Sequence, residues 1–101
     1  MERITTTQLE HQLKRTAAAL GVSVNHWERT EDGRNVAVVG ALVLSKEYRG
    51  WQLHRITNEH GGVTVLFGHC TLPAWEMYCA LEGMREAAEI VRENVLNPAF
   101  A

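Results

Sequence analysis

Val36-Ala37-Val38-Val39-Gly40-Ala41-Leu42-Val43-Leu44 is the longest apolar stretch of the chain, and the way it folds decides the architecture. It is about half as long as a bilayer span has to be, so it reads as a buried strand rather than a membrane segment. A strand that is apolar on both faces is covered on both, by a helix on one side and by another helix or a second subunit on the other. Immediately upstream, Asp32-Gly33 is a strong turn signal, because Gly takes positive φ at no steric cost. It joins the stretch to a strand starting at Val22, where the period is two: Val22, Val24 and His26 share one face, and Asn25, Trp27 and Arg29 the other. Downstream, a turn through Lys46-Glu47-Tyr48-Arg49-Gly50 leads to a strand over Trp51 to Thr57, with Trp51, Leu53 and Arg55 on one face and Ile56 opposite. Asn58-Glu59-His60-Gly61-Gly62 then reverses the chain into a short strand from Val63 to Phe67. The expected sheet has four antiparallel strands in meander order.

A helix flanks the sheet at each end of the chain. Thr7-Gln8-Leu9-Glu10 has the form of a capping box, Leu9, Leu13, Ala17 and Leu20 make one apolar stripe, and Gly21 suits a left-handed helix stop. Thr71 is the expected cap of the last helix, with Leu72 and Pro73 in its first turn. Trp75, Tyr78, Leu81, Met84 or Arg85, Ala88, Val91 and Val95 recur every three or four residues, which predicts about six turns closed by Asn97-Pro98. The fold class is α+β, a single domain over residues 1–101 in the order α-β-β-β-β-α, with both helices on one face of the sheet.

Composition bounds the function classes. With 101 residues, 46% apolar, 22% charged and a formal charge of −2, the chain is neither disordered, collagen-like nor a charged tail. Met1-Glu2-Arg3-Ile4-Thr5 shows no secretory pattern, so the expected location is the cytoplasm, with Cys70 and Cys79 as free thiols. His54, His60, His69, Cys70 and Cys79 do not have the spacing of a structural zinc site, so no metal and no cofactor are expected. His69-Cys70 precedes a helix N-terminus, where a thiol is acidified. A nucleophile also needs an aligned base and an oxyanion site, which adjacency in sequence does not supply. Phosphate-cradling and hydrolase motifs are absent, and the carboxylates sit in turns or on a solvated helix face. No catalytic residue is assigned.

What remains is a binding surface. Trp27, Arg29, Tyr48, Arg49 and Trp51 are residue types enriched at interface hot spots and are the expected partner contacts. The doubly apolar strand Val36 to Leu44 adds a possible homodimer seat. An alternative is a nucleic-acid regulator using the sheet surface from Arg29 to Arg55, where Arg29, Arg34, Lys46, Arg49 and Arg55 interleave with aromatics. Glu28, Glu31, Asp32 and Glu47 leave that region one charge positive (five cations against four anions), far below what phosphate neutralisation calls for.

Tyr48-Arg49-Gly50-Trp51 through Asn58-Glu59-His60-Gly61-Gly62, followed by Leu72-Pro73-Ala74-Trp75-Glu76-Met77-Tyr78, resembles small accessory proteins of bacteriophages and prophages. The shared pattern is an aromatic-Gly-aromatic strand, an Asn-x-x-Gly-Gly turn and a helix opening on Pro-Ala-x-Glu-x-Tyr, over about two fifths of the chain. The resemblance implies a cytosolic, non-catalytic factor that binds and blocks a host protein. Inhibitors of bacterial defence systems, CRISPR effectors among their targets, are prominent in that class.

Overall fold

The computed structural model describes residues 3–68 and 71–96. The element order is α1 (Thr6–Leu20), β1 (Trp27–Arg29), β2 (Asn35–Ala37), β3 (Leu42–Glu47), β4 (Gly50–Ile56), β5 (Val63–Val65) and α2 (Ala74–Leu96). The chain is α+β, but the expected four-stranded sheet is replaced by two antiparallel sheets, β1-β2 and β3-β4-β5. His69, Cys70 and the expected helix stop at Asn97-Pro98 lie outside the described residues.

The division falls inside the apolar stretch. Val36 and Ala37 belong to β2 and Leu42 to Leu44 to β3, with Val38 to Ala41 turning between them. Gly40 has φ +89°, a left-handed conformation open to Gly and strained for a β-branched residue. The Ala41 amide donates to Val38 O (3.1 Å), and the Gly40 amide to Ile56 O (2.8 Å). Most of the apolar side chains are used internally: Ala37, Ala41 and Ile56 form a small second core with Val38 and Val43 against it, while Val39 at the turn is exposed. The single strand Val36 to Leu44, and with it the doubly covered face expected to seat a second copy, is therefore not formed.

The main core is one cluster of Leu9, Leu13, Leu42, Trp51, Leu53, Met77 and Leu81, so both helices lie against the β3-β4 face that carries Leu42, Leu44, Trp51 and Leu53. α1 starts two residues earlier than the Thr7 box predicts. Thr5 is the cap, its hydroxyl accepting from the Gln8 amide while Gln8 Oε1 accepts from the Thr5 amide. At the other end Gly21 is left-handed, and the Val22 amide donates to Ala17 O (3.0 Å). Val22 to Asn25 are not strand; Val22 and Val24 instead cover the core edge.

α1 and α2 run side by side in the same direction. The Thr16 hydroxyl, fully buried, lies 2.9 Å from both its own-helix Gln12 O and Leu81 O, and Arg92 donates to Ala19 O at 3.1 Å. The start of α2 is set by the sheet. Leu72 precedes the helix and makes a bridge to Trp51, with Leu72 N to Trp51 O and Trp51 N to Leu72 O both 2.8 Å. A Cβ on Gly50 would lie 2.5 Å from Leu72 O, so only glycine lets the two backbones approach this closely.

Gly50→Ala is expected to lower stability by about 1–3 kcal/mol through this clash with backbone, read as a fall in the urea midpoint at unchanged slope. Gln12 is buried with neither side-chain amide atom paired. Gln12→Met is expected to raise the midpoint, by about 1–3 kcal/mol of relieved desolvation.

Candidate interaction surfaces

The five expected contact residues fall in three places. Trp27 lies on β1, 49% exposed. Its indole stacks on His26 (centroids 5.0 Å, 11°) and leans on the β4-β5 turn, where a Cβ at Gly61 would be 3.1 Å from the ring. That turn is held by Asn58 Oδ1, which accepts from the His60 and Gly62 amides at 2.9 and 3.0 Å. Arg29 is at the other end of β1, over the Gly33 turn. Tyr48 and Arg49 form the tip of the β3-β4 hairpin; Tyr48 is 84% exposed, and the Arg49 guanidinium carbon is 5.1 Å from its ring centroid.

The two pairs do not make one patch. Gly61 follows β4 and Arg49 precedes it, so they stand at opposite ends of that strand, about 20 Å apart at ordinary strand rise. Trp51 is not an exposed contact: it is 8% exposed in the main core, with Lys46 Nζ 4.7 Å above its ring. Its role is structural, because β4 alternation turns it toward the helices beside Leu53.

The basic residues of the nucleic-acid alternative are similarly dispersed. Arg34 pairs with Asp32 at 3.1 Å on the β1-β2 hairpin, Lys46 and Arg49 are at the far end of the second sheet, and Arg55 is exposed between them. Asp32 belongs to the hairpin turn. A hydrogen bond from the Thr30 hydroxyl, with those from Arg34 behind it, holds its carboxyl below the ordinary 3.8. Its contribution to the turn is thus present at neutral pH and is lost as the pH falls through that lowered value. Among the described residues no three His, Cys, Asp or Glu side chains group closely enough to hold a metal ion, and Cys79 is exposed on the outer side of α2.

An extensive apolar surface on the helix pair was assigned by periodicity to the core. α1 has 15 residues and α2 has 23, about 22 and 34 Å, so α2 outruns its neighbour by roughly 12 Å. Glu89 to Val95 are all exposed, including Ile90 (59%), Val91 (61%) and Val95 (73%), and Leu20 at the end of α1 is 42% exposed. Ala19, Leu20, Met84, Ala88, Val91 and Val95 line an open groove of about 610 Å³, with Arg92 at its edge. Trp75, also expected in the core, is 45% exposed and stacks on Tyr78 (6.2 Å, 8°); Met77 takes its place inside. The stripe lengths held the signal: the apolar spacing ends at Leu20 in one helix and continues for two further turns beyond its reach in the other.

Trp51→Ala is expected to cost about 3–5 kcal/mol of stability as a large core truncation. Tyr48→Ala should remain within about 0.5 kcal/mol of wild type. Both are measured by chemical denaturation.

No family model, no curated protein and no solved structure matches the chain.

Proposed function

We propose that the protein is a binding factor that acts by occupying the surface of another protein, in the manner of the phage and prophage accessory proteins that block host defence systems. The observation that carries this reading is the uncovered apolar length of α2. Three large aliphatic side chains of the groove, Leu20, Val91 and Val95, are each more than two fifths exposed along one end of the helix pair. Contiguous apolar surface of this kind is costly to leave in water and marks an interaction site. The occupant that fits is a helix of the partner, because the groove prolongs the line along which α1 already packs against the α2 stripe. Steric occlusion of this kind depends on complementarity and requires no reacting group.

Trp27 with Arg29, and Tyr48 with Arg49, are secondary contacts in this proposal, at the two ends of the sheet. A partner spanning more than a standard interface of about 800 Å² per side would reach one of them in addition to the groove.

The test is a tagged pull-down from bacterial lysate read by mass spectrometry, with Val91→Asp as the paired variant. Val91 is 61% exposed, so the variant should fold normally by circular dichroism. Stoichiometric capture by wild type and a loss of at least about tenfold in the variant, near 1.4 kcal/mol, are expected. Equal capture by both would remove the groove from the interface. In that case Trp27→Ala and Tyr48→Ala, each expected to weaken binding by about 1 kcal/mol if its end of the sheet is used, locate the contact. Capture of no protein, together with a salt-dependent oligonucleotide shift, would replace the proposal by the nucleic-acid reading.

A further inference from the structure

At the opposite end of the helix pair from the groove, the segment before α1, the end of β3, the start of β4 and the start of α2 line an open cleft of about 600 Å³. Four side chains give it its character: Arg3, Lys46, Trp51 and Trp75. Both charged residues of the lining are cations, in a chain of formal charge −2. Among the described residues neither of them is in an ion pair; the four pairs present involve Arg34, His60 and Arg85. Lys46 is held in place by the Trp51 ring beneath its ammonium at 4.7 Å. Trp75 stacks on Tyr78 and keeps nearly half of its surface open.

We propose that this cleft binds a small anion carrying a planar ring, of the nucleoside monophosphate class, with the phosphate at Arg3 and Lys46 and the ring against Trp75. The volume lies within the range of small-ligand sites, about 300–1,000 Å³, and aromatic walls with a few fixed polar groups are what such sites use. A phosphate is a strong acceptor for both cations, bidentate for the guanidinium and a point-charge contact for the ammonium. Lys46 is exposed, and its cation-π contact with Trp51 restrains the ammonium at the rim of the cleft, which lowers the ordering cost of binding. The first residues of both helices, Thr6 and Ala74, line the same cleft. The site is separate from the apolar groove and does not depend on the protein-binding reading.

The full chain, ¹⁵N-labelled, is titrated at fixed ionic strength with inorganic phosphate, adenosine and AMP, following the indole N–H signals of its three tryptophans by NMR. AMP is expected to shift the Trp51 and Trp75 signals saturably and to leave Trp27 in place. Adenosine, which lacks the phosphate and with it the contacts to both cations, should bind at least about tenfold more weakly. Lys46→Gln and Arg3→Gln should each weaken AMP binding about fivefold or more with the remaining spectrum unchanged. Trp75→Ala should weaken AMP more than phosphate. No saturable shift with AMP or phosphate, equal binding of AMP and adenosine, or undiminished affinity in Lys46→Gln overturns the site. Equal affinity for phosphate and AMP overturns the ring contact.

Discussion

The backbone bridge between Leu72 and Trp51 is the contact on which the rest of the structure turns. Its two 2.8 Å hydrogen bonds fasten the chain to β4 just before α2 begins, and the absence of a side chain at Gly50 allows them to form. Once Leu72 is fixed, the helical repeat decides which residues face inward. Met77 and Leu81 enter the core beside Leu53 and Trp51, Thr16 meets Leu81 O, and the stripe beyond Met84 passes the end of α1. The apolar groove is therefore a consequence of where α2 is anchored and of the lengths of two parallel helices.

The parallel arrangement also separates the molecule's chemistry into two ends. Helices that start together bring their amide termini to one side, where Arg3, Lys46 and two tryptophans line a cleft. They leave carbonyl termini and a length mismatch at the other side, where Arg92 satisfies Ala19 O and the aliphatic side chains of α2 remain uncovered. One end suits charge and the other apolar area, and the outer surface of the helix between them is largely acidic through Glu76, Glu86, Glu89 and Glu93. Polar recognition gives specificity and buried apolar surface gives affinity, so the two proposed sites differ in the kind of ligand they would take.

The turn at Gly40 explains why the sheet is divided. A straight strand through Val36 to Leu44 would present its apolar residues on both faces, and the helices cover only one face of β3-β4. Bending at a left-handed glycine carries Ala37 and Ala41 onto Ile56, so that a second small core takes up part of what the first leaves over, with Val39 left exposed at the turn. The cost is a short β1-β2 hairpin, tied to the rest through Ala37 N to Glu59 O and Gly40 N to Ile56 O. Trp27 closes the same junction by resting on Gly61.

Short-range chemistry accounts for the features legible in the residues alone: two amphipathic helices with Gly21 as a stop, the Asp32-Gly33 hairpin, the reversal at Asn58 to Gly62, and the antiparallel strands around Trp51 and Leu53. These features depend on a period, a cap or one residue's permitted φ, each readable within a few positions. The tertiary structure decided how far each apolar stripe is covered. Spacing gives Val91 and Val95 the same pattern as Leu81, and nothing local distinguishes a stripe that meets α1 from one that outruns it. Likewise Trp51 and Trp27 are the same residue type in strands, and only the β4 face turned toward the helices makes the first a core residue and leaves the second half exposed. Arg3 and Lys46 are 43 positions apart in sequence and line one cleft because the start of α1 packs beside the β3-β4 hairpin, a long-range proximity that no local pattern encodes.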